Sequence, residues 1–297
     1  MTSLQARQFW TLIANSPKLF ELPLDMRRRA AERSESMTDE PRGVAFSPSR
    51  PPKGPIGLMA EPAEAREGAA ILYFHGGGYV CGSPASRRKT LGHLADAARA
   101  RAFAPAYRLA PEHRFPAAVE DALRAYEQLL RTGVDPARVV VAGDSAGGGL
   151  ALAAALAARE KGLPTCAGLA LISPWTDLSL RGESYESRAA DDLTCARHTL
   201  EPMAQAYLDG ADARDPFASP LYADLAGLPP IFVVCGADEV LLDDSLMLLR
   251  RAAHCRVDAS VSVVAGMQHV FPIWAGLIPE ADEAIAAIAD FILARTS

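Results

Sequence analysis

The sequence predicts an α/β fold, a mostly parallel sheet flanked by helices, and three observations carry that expectation. From Gly68 onward, short apolar runs alternate with longer helical patterns. The intervening stretches are long enough to be helical crossovers between parallel strands. No internal repeat is evident that would suggest a solenoid or propeller instead. A chain of 297 residues with 49% hydrophobic content can also bury one sizeable core, which favours one large domain with an insertion.

The elements follow in order. Residues 1 to about 45 read as helical, with Phe9, Trp10, Leu12 and Ile13 able to form one apolar face. The Pro-rich stretch SPSRPPKGPIG, residues 47–57, reads as an extended connector. The strand AAILYF is then followed by the helix RKTLGHLADAARA, the strand RAFAPAYRL and the helix AAVEDALRAYEQLLRTG. RVVVAG, a helix after Ser145, GLALISP and PPIFVVCG continue the rhythm, and DDSLMLLRRAAHC, ASVSVVAG and PEADEAIAAIADFILAR complete it. Residues 182–216 break it, being helical but strandless. Open parallel sheets place their sites beyond the C-terminal strand ends, so this insertion is expected to be a lid there. The expected division is an N-terminal helical cap segment at 1–45, a core at 46–181 and 217–297, and a cap insertion at 182–216.

Charge and cysteine content narrow the partners. A formal charge of −6 without a Lys/Arg-dense run gives no field for nucleic acid or anionic membranes, which leaves a small molecule. The five cysteines are scattered, without CxxC or Cys/His spacing, so neither a disulfide framework nor a metal site is expected. The opening stretch MTSLQARQFWTLIANSPK lacks a basic region followed by an apolar one, and no apolar run nears roughly eighteen residues. A cytoplasmic protein without a membrane span is the expectation.

The chemistry centres on GDSAGG, residues 143–148. Gly143-Asp144-Ser145-Ala146-Gly147 fits G-x-S-x-G, with an apolar strand before it and a helix after it. Flanking glycines allow a sharp bend that exposes the Ser145 hydroxyl above the sheet. A hydroxyl is a poor nucleophile until a base takes its proton, so an imidazole must lie within hydrogen-bond reach. His269 in GMQHVF follows the last predicted strand and is the candidate. His93, His198 and His254 fall in helical patterns, and His113 sits in a turn. The third member must be a carboxylate between Ser145 and His269 in chain order. GADEVLLDD offers Asp238 and Glu239 at a strand's end, and the residues alone leave both open. Asp243 and Asp244 are expected to complement the dipole of the helix that follows. The run His75-Gly76-Gly77-Gly78 after ILYF can aim main-chain N–H groups at an oxyanion, with the Ala146 N–H completing the hole. Asp144 and Asp177 are expected to position loops, His75 to be structural, and the segment YRLAPEHRFPAA to pack as a loop behind the site. Trp175 is a candidate pocket wall, with core packing as its alternative.

Taken together, HGGGYVCGS, YRLAPEHRFPAAVEDAL, VVVAGDSAGGGLALA, SPWTDLS, GADEVLLDDS and GMQHVFP resemble the hormone-sensitive-lipase-like family of bacterial esterases, GDSAG subgroup. The resemblance covers residue 68 to the end. It implies an α/β-hydrolase fold with an eight-stranded mixed sheet and a helical cap, hydrolysis of short- to medium-chain carboxylic esters, no metal or other cofactor, and a possible homodimer. Many members carry the acid in a pattern like D-P-L-x-D, and laying this on E-V-L-L-D makes Glu239 the acid. Glutamate here departs from the commoner aspartate, and Asp238 stays as the alternative. An amidase or deacetylase would share this chemistry. A ligand-binding receptor on the same fold would lack a complete triad.

Overall fold

The computed structural model describes residues 2–50 and 55–297. Eight strands form one sheet: β1 (Val44–Ser49), β2 (Gly57–Pro62), β3 (Ala70–Phe74), β4 (Arg101–Pro105), β5 (Val139–Asp144), β6 (Gly168–Ile172), β7 (Ile231–Gly236) and β8 (Ala259–Val264). Their spatial order is β1-β2-β4-β3-β5-β6-β7-β8. The last six are mutually parallel, and β1 and β2 add an antiparallel pair at one edge.

The helices among the described residues are α1 (Leu4–Ala14), α2 (Leu24–Ser34), α3 (Arg88–Ala97), α4 (Ala117–Arg131), α5 (Ala146–Glu160), α6 (Ser184–Ser187), α7 (Arg197–Leu208), α8 (Leu242–His254) and α9 (Pro279–Arg295). Strand alternation decides which helix layer each residue meets. Leu72 and Phe74 of β3, with Val139 and Val141 of β5, join one apolar cluster with α4, α5 and α8. Ile71, Tyr73, Val140 and Ala142 face the other, with α1, α3 and α9. Both faces are covered, so the central strands are apolar throughout, and each fully buried aliphatic side chain stabilises the fold by about 1.5–3 kcal/mol.

Two expectations about the N-terminal region need correction. The stretch read as a connector from residue 47 to 57 contains the end of β1 and the start of β2, paired from Val44↔Pro62 to Ser49↔Gly57. Its residues 51–54 lie outside the described residues. Proline at position 48 is accommodated because β1 is an edge strand, where a missing N–H is tolerated. The segment 1–45 also divides. Helix α1 buries Ala6 and Trp10 in the α3/α9 layer, and Phe9 packs on Trp274 at a ring-centroid distance of 4.8 Å. Helix α2 instead lies against the loops after β3 and β4, where Arg28 donates to the carbonyls of Val80 and Ala110 at 2.9 and 3.0 Å.

The parallel order places the candidate residues. β3 and β5 are neighbours whose connections leave in opposite directions, so the glycine loop after β3 and the Ser145 corner after β5 meet at a topological switch point. Glu239 follows β7 and His269 follows β8, both at the same end of the sheet.

Candidate active site

Ser145 stands between β5 and α5 with φ +54° and ψ −124°, a conformation that costs a non-glycine residue about 1–3 kcal/mol. Its surroundings enforce it. The Ser145 N–H donates to the Ile172 carbonyl at 2.9 Å, and its carbonyl accepts from the N–H groups of Gly148 and Trp175, each at 2.9 Å. A Cβ on Gly147 would fall 2.1 Å from the Phe74 carbonyl oxygen, so only glycine lets α5 begin this close to β3.

The Oγ of Ser145 lies 2.9 Å from Nε2 of His269. On the other side of the ring, Nδ1 is 3.6 Å from Oε1 of Glu239, and neither atom has another partner. With its proton on Nδ1, toward the carboxylate, the imidazole can accept the serine proton at Nε2. The other Glu239 oxygen is fixed: Oε2 accepts from Ser173 Oγ at 2.7 Å and from the Gly236 N–H at 3.0 Å. Ser173 Oγ also accepts from the N–H of Val270 at 3.0 Å, so one hydroxyl links the acid loop to the base loop. The serine, the histidine and the glutamate are all buried.

Burial works against the charged form of His269, while the Cys195 sulfur and the Glu239 carboxylate beside it favour that form. The net result holds the imidazole above the ordinary histidine value. Burial also pushes the Cys195 thiol up. Asp238, the alternative acid, is not in the cluster. Burial raises it, and its charged neighbours are Asp191, Arg188 and Asp192.

The glycine loop needs one correction. The Gly76 N–H donates to Oδ1 of Asp144 at 2.9 Å, which removes it from the expected oxyanion donors. Gly77 and Gly78 have φ of +125° and +62°, and Ala146 opens α5, where first-turn N–H groups lack helical partners. Asp144 also accepts from Tyr73 Oη at 2.8 Å and Arg87 Nε at 3.0 Å, tying the glycine loop to the nucleophile corner. His75 stacks on Tyr107 and points Nδ1 at the Gly76 carbonyl, 2.8 Å away. Burial lowers His75 to about 4, so it is neutral and structural.

Trp175 is fully buried in the core behind the elbow, and its Nε1 donates to the Asp177 carbonyl at 3.2 Å. Core packing, the alternative, is what the structure assigns it. Asp177 accepts from the Ser179 N–H at 2.8 Å and holds its own loop. In YRLAPEHRFPAA, Arg108 pairs with Asp121 and Glu120, Glu112 pairs with Arg28, and Arg114 pairs with Asp209, all away from Ser145. Asp244 stands in the first turn of α8, as expected, and also ties down the loop after β6. Its Oδ1 accepts from the N–H groups of Thr176 and Asp177 at 2.7 and 2.8 Å, and its Oδ2 from Tyr185 Oη at 2.9 Å.

The strandless insertion lies over the glycine loop. A Cβ on Gly78 would meet Met203 Sδ at 2.2 Å, and Tyr207 stacks on Tyr79 at 4.0 Å with 5° between the ring planes. These contacts, and the Ser173 hydroxyl, were missed at the sequence level. SPWTDLS contained Ser173, but no local signal marks a hydroxyl that acts on loops distant in the chain. No group of side chains able to hold a metal ion occurs among the described residues, and none of their helices is long and apolar enough to cross a membrane.

Residues 71–273 match a family described as having the alpha/beta hydrolase fold. An acetyl-hydrolase of Streptomyces hygroscopicus is 40% identical over 271 residues, covering 86% of this chain and 90% of its own. An ethyl acetate hydrolase of Pseudomonas putida is 36% identical over 288 residues, covering 91% and 89%. A solved esterase from the bacterial hormone-sensitive lipase family superposes with a TM-score of 0.94 at 38% identity, covering all of both chains. A fold matched over its full length, with its strand-end serine and histidine in contact, places this chain in the α/β-hydrolase family, among the bacterial hormone-sensitive-lipase esterases.

Proposed function

We propose that this chain hydrolyses small carboxylic esters through a serine-bound acyl intermediate. The observation that carries the reading is the 2.9 Å contact between His269 Nε2 and the Ser145 hydroxyl at its strained corner. Ser145 Oγ attacks the ester carbonyl as Nε2 takes its proton, and Glu239 orients the ring and stabilises its charged form. The N–H groups of Gly77, Gly78 and Ala146 receive the developing oxyanion. The tetrahedral intermediate collapses, the alkoxide leaves with the proton held on His269, and the acyl group remains on Ser145. Water, deprotonated by His269, then attacks the acyl carbonyl, releasing the acid and restoring the serine.

Residues 182–216, with α2 from the N-terminal segment, form the cap of this reading. Met203 and Tyr207 close over the glycine loop, and an acetyl-hydrolase and an ethyl acetate hydrolase among the relatives agree with short acyl groups. A cytoplasmic site of action fits five free cysteines, of which four are buried. Self-association through β8, the last strand of the sheet, where Val263 is 42% exposed, completes the proposal and is checked by light scattering.

The test is a p-nitrophenyl ester series from acetate to palmitate, run on the protein and on Ser145→Ala. Activity should peak at short to medium chains and fall by about 10⁴-fold or more in the variant. An organophosphonate should label Ser145 stoichiometrically. An adduct at another residue, or a rate that keeps rising to palmitate, would overturn the assignment or the enclosed pocket respectively.

A further inference from the structure

The insertion does more than cover the site. Loop 191–195, between α6 and α7, is bound to both the acid loop and the base loop. Asp192 is 5% exposed, and its Oδ1 accepts the N–H groups of Thr194 and Cys195, each at 2.8 Å, which folds the loop on itself. Its Oδ2 accepts the N–H of Val240 at 2.8 Å, the peptide that immediately follows Glu239. Ser184, also in the insertion, donates its hydroxyl to the Val240 carbonyl at 2.6 Å, so that residue is held at both its donor and its acceptor.

The base side is held by the residues flanking Asp192. Gln268, which precedes His269, accepts the Leu193 N–H at 2.7 Å and donates to the Asp191 carbonyl at 3.1 Å. Cys195 then sets its sulfur beside the imidazole. Three consecutive residues of the insertion thus reach alternately to the base loop, the acid loop and the base loop.

We propose that loop 191–195 is a strap that sets the reach between Glu239 and His269, and that Asp192 is a positioning residue acting through Glu239. The 3.6 Å separation of Oε1 and Nδ1 lies just outside a hydrogen bond, where a few tenths of an ångström decide whether the pair bonds. Glu239 has one more rotatable bond than aspartate, so its loop must be held more firmly to give one geometry. Ser173 fixes the carboxylate end of that side chain and the strap fixes the backbone end. A misplacement of about 1 Å in such a constellation can lower turnover about 100-fold.

The inference rests on the proposed triad, and the experiment separates the two. Turnover, KM, the pH profile of kcat/KM and thermal unfolding are measured for Asp192→Ala, Asp192→Asn, Gln268→Ala, Glu239→Gln and the Asp192→Ala/Glu239→Gln double variant. In Asp192→Ala, kcat should fall about 10- to 100-fold while KM stays within about twofold, and the acid limb of kcat/KM should move to lower pH as the carboxylate loses its hold on the imidazole. Gln268→Ala should reproduce the kcat loss from the base side, and Asp192→Asn, with one acceptor oxygen, should lie between wild type and Ala. In the double variant the strap has no acid left to position, so turnover should fall no more than about twofold below that of Glu239→Gln. A folded Asp192→Ala with wild-type kcat and pH limb, or losses that multiply in the double variant, overturns the strap. If Asp192→Ala does not fold, wild-type values for Asp192→Asn and Gln268→Ala do the same. Near wild-type turnover in Glu239→Gln instead refutes the triad reading itself.

Discussion

The two halves of the catalytic cluster are held by different means. Ser145 is placed by one continuous strand–turn–helix unit, by glycines that let α5 touch β3, and by Asp144 next to it. Glu239 and His269 sit on loops after β7 and β8, and what fixes them comes from elsewhere in the chain: Ser173, Asp192 and Gln268. The nucleophile side is therefore fixed by main-chain contacts, within its own strand–turn–helix unit and to Ile172 and Trp175 of the neighbouring strand and its loop, and the acid–base side by side chains reaching in from other segments. Two flexible loops that must meet across a gap need fastening from a third segment.

The largest test of this difference is on the acid–base side. Glu239→Gln should lower kcat by about 10³–10⁴-fold, whereas Asp238→Asn, outside the cluster, should stay within about twofold. The pH profile sharpens the contrast. His269 is a base only when neutral, so kcat/KM rises as pH climbs through its pKa, which lies above the ordinary histidine value. Removing the Glu239 charge should move that limb to lower pH, and no movement would detach Glu239 from the imidazole.

On the nucleophile side the most informative break is Asp144→Ala. It would leave Arg87, whose side chain is 14% exposed, without its partner at 3.0 Å, and release both Tyr73 and the glycine loop. A loss of about 3–5 kcal/mol is expected from denaturant unfolding, since an uncompensated buried charge remains. A change under about 1 kcal/mol would mean that the corner holds without this pair.

The smallest effect at neutral pH is expected from Asp244→Asn. Burial pushes Asp244 up to about 7, with the Asp177 charge adding to it and the N–H donors from Thr176 and Asp177 opposing. Between the unfolded value near 3.8 and about 7, the folded state binds the extra proton. Stability from this group is thus fully present at the acid end and declines as pH rises through about 7. Asparagine keeps an acceptor for the two N–H bonds but cannot titrate, so the difference in urea midpoint between pH 5 and pH 7.5 should shrink. An unchanged difference would show that Asp244 stays ionised throughout.

The sequence by itself determined the parallel α/β framework, the Ser145 corner, the glycine loop and the place of His269 just after the last strand, because each follows from a period, a turn or a strand end within a few residues. Likeness of motif singled out Glu239 from its neighbour. Tertiary structure alone decided the rest. It drew the Gly76 N–H to Asp144, sent Trp175 into the core, turned Asp244 toward the loop after β6, and made a hairpin of β1 and β2 at the sheet edge. It also brought Asp192 to the Val240 N–H, 48 positions away in the chain. Hydrogen bonds of this kind depend on which distant segment arrives beside a donor, and no local pattern encodes that.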